Sequence, residues 1–164
     1  MHANNVNEMT SQQKIITFFL RYPEAFIRMV SEFNAFQPHE IEKHFELLDK
    51  GFLSNNYYCQ WDLATIKKYK HQLDWSLFSV SCRAFADVNL IDEFLPEVVW
   101  TSPDSENTCN CLSCNPKIVW TDELFGKYEN CIDFKALSFT EKIPWSEKLI
   151  DKYIDRWDWE NLSF

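Results

Sequence analysis

Glycine is nearly absent. The chain of 164 residues holds 2, Gly51 and Gly126, where ordinary usage would give about 11. Phosphate-binding loops, dinucleotide fingerprints and nucleophile elbows need glycine where backbone turns sharply or approaches a ligand, so none of them is available here. Asn-Gly and Asp-Gly pairs are also missing, which argues against a meander of tight β-hairpins. Positive charge is in deficit: 16 Lys and Arg against 25 Asp and Glu leave a net charge of −9. General nucleic-acid binding, which neutralises phosphates with Lys and Arg, is not expected. Long apolar runs are lacking too. Phe18-Phe19-Leu20 is typical of the longest, whereas a membrane span takes about 20 residues. The segment 1–13 is polar and has no apolar h-region, so no signal peptide is predicted. The expectation is a cytoplasmic protein with no membrane partner and with its thiols mostly reduced.

Aromatic residues are abundant, at 16% of the chain with 7 Trp and 14 Phe, and they recur with a period. Trp120, Leu124, Phe125, Tyr128, Ile132, Asp133, Phe134, Leu137 and Ser138 match Trp145, Leu149, Ile150, Tyr153, Trp157, Asp158, Trp159, Leu162 and Ser163 at a constant offset of 25. Trp61, Ile66, Tyr69, Leu73, Asp74, Trp75, Phe78 and Ser79 fit the same template. So do Phe36, Ile41, His44, Leu48, Asp49, Leu53 and Ser54. A degenerate copy begins at Ala86, with Leu90, Ile91, Phe94, Val98 and Trp100. The next step, from 86 to 120, is 34, so that unit carries about nine extra residues.

Leu149, Ile150, Tyr153 and Trp157 lie on one face of an α-helix. Ser146 is placed to cap it, and Asp158, like Asp74 and Asp133, to cap a short second turn. Each unit therefore reads as a helix of about ten residues, a bend at the Asp, and a short helical or 3₁₀ turn. A single unit cannot bury its own face, whereas stacked copies can. The predicted fold is all-α: one domain, 1–164, built as a solenoid-like array over 36–164. An N-terminal helical cap precedes it over 1–35, with Ser11 as first cap and Pro23 as break, and a Cys-bearing insertion falls near 104–119. A leucine-rich-repeat-like α/β horseshoe is the alternative, since the period falls in its range, but its asparagine ladder is largely missing.

The pattern W-S-x-x-L-I-x-K-Y-x-D-x-W-D-W-x-x-L-S over Trp145 to Ser163 resembles short tandem repeats of uncharacterised bacterial and large-virus proteins. The resemblance covers roughly 36–164. It brings no activity or ligand with it. The first unit departs from the pattern, with His44 at the Tyr place and Lys50 at the second Trp place.

Six cysteines in a reducing compartment point to metal or free thiols before disulfides. Cys109, Cys111 and Cys114 form C-x-C-x₂-C, in which three thiols on a short irregular loop can face one ion, and thiolate is the preferred ligand of structural Zn²⁺. A fourth ligand must come from elsewhere. Cys82, in the loop leaving the neighbouring unit, is the first choice, then Cys131, then His71. Cys59 reads as a packed loop thiol. The H-E-I-E-K-H run from His39 to His44 is not a zincin helix: its histidines are five apart instead of four, about 100° of extra rotation. The acids at 151, 155, 158 and 160 read as a solvated face. Ser79, Ser138 and Ser163 recur with the repeat and read as structural.

No catalytic residue is assigned. The leading expectation is a non-enzymatic protein-binding module for a basic partner, in its most concrete form an immunity protein that covers a basic toxin. A zinc-dependent enzyme would need an open metal position with a Glu or His nearby. A structural or regulatory subunit of a larger assembly would need a large exposed apolar patch on one face.

Overall fold

The computed structural model describes residues 9–101, 111–140 and 143–162, and every regular element among them is helical. The absence of strands among these residues speaks against the horseshoe alternative, whose repeats each need one.

The chain opens with two helices, α1 (Ser11–Arg21) and α2 (Pro23–Phe33). Thr10, not Ser11, caps α1: its Oγ1 accepts the Gln13 N–H while the Gln13 side chain accepts the Thr10 N–H, a reciprocal box that Ser11 has no Gln to complete. Pro23 ends α1 and occupies the first position of α2, where its missing N–H costs nothing.

Five pairs of elements follow, in four of which the second is shorter than the first. They are α3 (Pro38–His44) with α4 (Lys50–Ser54), and α5 (Leu63–Tyr69) with α6 (Trp75–Ser81). Next come α7 (Val88–Glu93) with a 3₁₀ turn at Leu112–Cys114, α8 (Asp122–Lys127) with α9 (Phe134–Leu137), and α10 (Glu147–Lys152) with α11 (Trp159–Leu162). Further 3₁₀ turns lie at Phe45–Leu47 and Arg83–Ala86. Side-chain caps set the starts. Asp62, Thr121 and Ser146 each accept an N–H three residues on, and Asp49, Asp74 and Asp133 do the same for short helices.

The longer helices run six or seven residues, shorter than the sequence predicts. Three of them stop where the aromatic position leaves the helical region: Phe94 at φ −115° ψ 22°, Tyr128 at −109° and 18°, Tyr153 at −121° and 26°. This bridge conformation is open to residues with a Cβ, and the usual left-handed end is not used. The glycine deficit follows, because these helix ends need no positive φ.

The ring at this place reaches the preceding unit, whether it ends the helix, as Tyr69 does, or stands just past it. Tyr69 Oη donates to Glu42 O at 3.5 Å, Tyr128 Oη to Asp92 Oδ1 at 2.8 Å, and Tyr153 Oη to Phe125 O at 3.4 Å. Burial and then Asp92 push the Tyr128 phenol up to about 12, so it stays a neutral donor. The core is one continuous set of repeat positions running from Phe36 to Trp157. Phe125 is typical, with ring centroids of Trp120, Tyr153 and Phe134 at 5.3, 5.9 and 6.1 Å. Of the Trp-Asp-Trp run, Trp157 is buried and Trp159 is exposed, so only the first is core.

Candidate functional site

Two rows of buried polar side chains run from unit to unit. In the first, a serine on α2 and then on or at the end of four successive short elements accepts the backbone N–H at the Asp place of the next unit. Ser31 takes Asp49 at 2.9 Å, Ser54 takes Asp74 at 3.0 Å, and Ser79 takes Val99 at 3.0 Å. Ser113 takes Asp133 and Ser138 takes Asp158, both at 3.1 Å. The same hydroxyls at 31, 54 and 138 donate to the carbonyl four residues back, at 2.6–2.7 Å, so both roles of the hydroxyl are filled. The second row stands two residues further on. Asn56 donates to Ser31 O at 2.7 Å, Ser81 to Ser54 O at 2.5 Å, and Asn115 to Ser79 O at 2.9 Å. The structural reading of Ser79 and Ser138 holds; Ser163 lies outside the described residues. The sequence expectation missed Ser31, Ser113 and the whole second row, although S-x-N or S-x-S at 54–56, 79–81 and 113–115 is their signature.

These rows place the cysteine segment. Leu112 N–H donates to Val99 O at 2.7 Å, and Ser113 Oγ donates to Trp100 O at 3.0 Å. Ser113 and Asn115 then take their positions in the two rows. The sequence assigns 104–119 to an insertion, but Leu112–Cys114 fill the short-helix place of the third unit, because the chain rejoins the repeat there. Cys109 lies outside the described residues.

Cys111 and Cys114 are buried with their Sγ atoms 3.9 Å apart, in a small cluster with Val80 and Ala136. The Cys114 thiol, helped by the N–H groups of Cys114 and Ser113, holds the Cys111 thiol below its usual value against the opposing effect of burial. Such a pair can form two corners of a thiolate tetrahedron, whose edge for Zn–S bonds of about 2.3 Å is about 3.8 Å. Cys82 does not join them. Its backbone is close, since Asn115 Nδ2 donates to Cys82 O at 3.0 Å, but its thiol packs into the main core. Burial pushes that thiol up to about 12, as it does the Cys59 thiol. Among the described residues no three His, Cys, Asp or Glu side chains gather as a metal-holding group. Cys131 is half-buried in the core margin and His71 is exposed. Cys59 is a packed thiol, as expected.

The charged groups form pairs between units on the surface. Lys68 reaches Glu42 at 3.1 Å, Lys70 reaches Glu97 at 2.7 Å, Lys152 reaches Glu129 at 3.3 Å, and Lys127 pairs with Asp92. Exposed pairs of this kind contribute about 0–1 kcal/mol each, so they fix register more than stability. Asp122, Glu123, Glu147, Asp151 and Asp155 remain on the exposed side of the last two units. His44 is half-buried beside an apolar groove between α2 and Leu48, and His39 is exposed, so the two do not act together. Among the described residues no helix is long and apolar enough to cross a membrane. No protein-family model, no curated protein and no solved structure matches this chain.

Proposed function

We propose that this chain is a non-enzymatic binding module. Its helical units of about 25 residues stack as a solenoid, and its acidic surface receives a basic protein partner. The observation that carries this reading is the serine row: α2 and then four units in succession offer a hydroxyl to the backbone of the next. Residue types that serve catalysis elsewhere are engaged in this framework. The serine hydroxyls bond neighbouring units, the Asp side chains cap helices, and the Tyr hydroxyls reach back along the array. What stays exposed is acidic, in keeping with the net charge of −9. A basic toxin neutralised by an immunity protein is the concrete form of this proposal. Zinc enters it as a structural staple that Cys111 and Cys114 would help to hold, with no part in a reaction.

The test is co-purification of the tagged full chain from its native host at low salt. The expected result is a specific basic partner that is released as salt rises, whose binding weakens in an Asp151→Lys, Asp155→Lys variant. Rescue of cells from a toxin encoded beside the gene would establish the immunity form. Absence of any specific partner together with absence of rescue overturns the proposal.

A further inference from the structure

The α1–α2 hairpin carries more apolar surface than the other described residues cover. No side chain of α1 is buried. Phe19 packs on Phe26 with ring centroids 5.2 Å apart, but Ile15, Ile16, Phe18 and Leu20 on either side of it are 56%, 58%, 51% and 80% exposed. An amphipathic helix with so wide an apolar face buries that face against another element. The same end of the molecule also offers a hole. Phe26, Ile27, Val30, Phe36, Leu47 and Leu48 surround an open groove of about 390 Å³, and α1 of the same chain does not line it. Leu47 on its lip is 70% exposed.

The five exposures above leave roughly 500–800 Å² of apolar side chain in water, taking about 150–250 Å² for each large side chain. One partner of a standard interface contributes about 800 Å², of which about 65%, or about 500 Å², is apolar in a homodimer. The surface is rich in Phe, Ile, Leu and Met, the composition of an obligate interface core. Its charge differs from that of the rest of the chain. The segment 9–33 holds three basic side chains, Lys14, Arg21 and Arg28, and two acidic ones, Glu24 and Glu32, within a chain of net charge −9. Two hairpins can therefore meet without repulsion while the acidic arrays point apart. A basic partner gains nothing from this face.

We propose that two copies of the chain form a two-fold dimer in which α1 of each lies in the α2 groove of the other. A ridge and a groove on one molecule, matched reciprocally, close as a dimer and leave no open end. This inference stands apart from the binding reading, since it uses the one face that lacks acidic character.

The test is sedimentation velocity of the full chain from about 1 to about 100 μM, the range that resolves micromolar interfaces. The expected species has twice the mass of the chain. Leu20→Glu on the ridge and Leu47→Glu on the groove lip each weaken the dimer at least about 30-fold, as loss of a central anchor does. Both side chains face solvent in the single chain, so far-UV circular dichroism stays unchanged. If one variant loses helix signal, the other decides. Three results overturn the proposal: a wild-type monomer at the highest concentration, a folded variant that dimerises like wild type, or growth beyond two copies.

Discussion

Asn56→Ala is the most demanding test of the polar rows. Asn56 is buried, and its side chain makes four hydrogen bonds: Nδ2 to Ser31 O at 2.7 Å and Asn34 O at 2.9 Å, and Oδ1 from the N–H groups of Tyr58 at 2.7 Å and Cys59 at 3.2 Å. Not all four count equally. Asn34 O keeps the Phe36 N–H at 3.0 Å, and Tyr58 is exposed, so water replaces its lost acceptor. The loss concentrates on Ser31 O and the Cys59 N–H, which are left buried and unpaired at about 1–3 kcal/mol each. The expected destabilisation is about 4 kcal/mol, within a range of roughly 2–6. For a chain of this size that lowers the melting temperature by about 8–16 °C. Urea unfolding followed by tryptophan fluorescence measures it, with exposed Gln60→Ala as a control expected within about 0.5 kcal/mol of wild type. A loss below about 1 kcal/mol would show that Asn56 does not bind the first unit to α2, and the rows would lose their energetic meaning.

Further outcomes are expected. Ser54→Ala strips the Asp74 N–H of its acceptor and destabilises by about 1–3 kcal/mol; if it costs no more in urea unfolding than Ser76→Ala, whose exposed hydroxyl bonds only Asp74, the serine row is decorative. Metal analysis of protein purified without chelator finds zinc in wild type and less in Cys111→Ser, and equal content in both removes the zinc staple. Bonds from Lys127 and then Tyr128 hold the Asp92 carboxyl below the usual carboxylate range, and the Thr65 N–H does so for Asp62. A depressed folded value stabilises above the unfolded pKa, about 4, and that contribution fades as pH falls through the folded value. Melting temperature should thus drop below about pH 4, and less steeply in Asp92→Asn; identical slopes would contradict this.

Much of the fold was legible because its signals are local. Ser146, Asp74 and Asp133 cap helices through an N–H two or three residues on, and such contacts depend on spacing alone. Leu149, Tyr153 and Trp157 are buried together as the helical spacing predicts, although α10 ends at Lys152 and the turn after it places the last two. Helix length differs from the sequence expectation because the Tyr place looks helical by pattern, yet at Phe94, Tyr128 and Tyr153 the backbone turns into the bridge region. The metal set was read less well. Cys111 and Cys114 meet, since three residues of a 3₁₀ turn bring them together. Cys82 seemed a neighbour by topology, and its backbone is one, but the direction of its side chain sends the thiol into the core.

The glycine-poor, aromatic-rich chain thus determined by itself that the protein is helical and where most of its helices begin. Both follow from contacts within one or two helical turns. Only the tertiary structure decided which carbonyl Asn56, Ser81 and Asn115 would seek, that Ser113 rejoins the serine row across the added segment, and that both sides of α1 stay open. Those outcomes rest on hydrogen bonds between residues 18 to 36 apart and on side-chain directions, neither of which a spacing rule encodes.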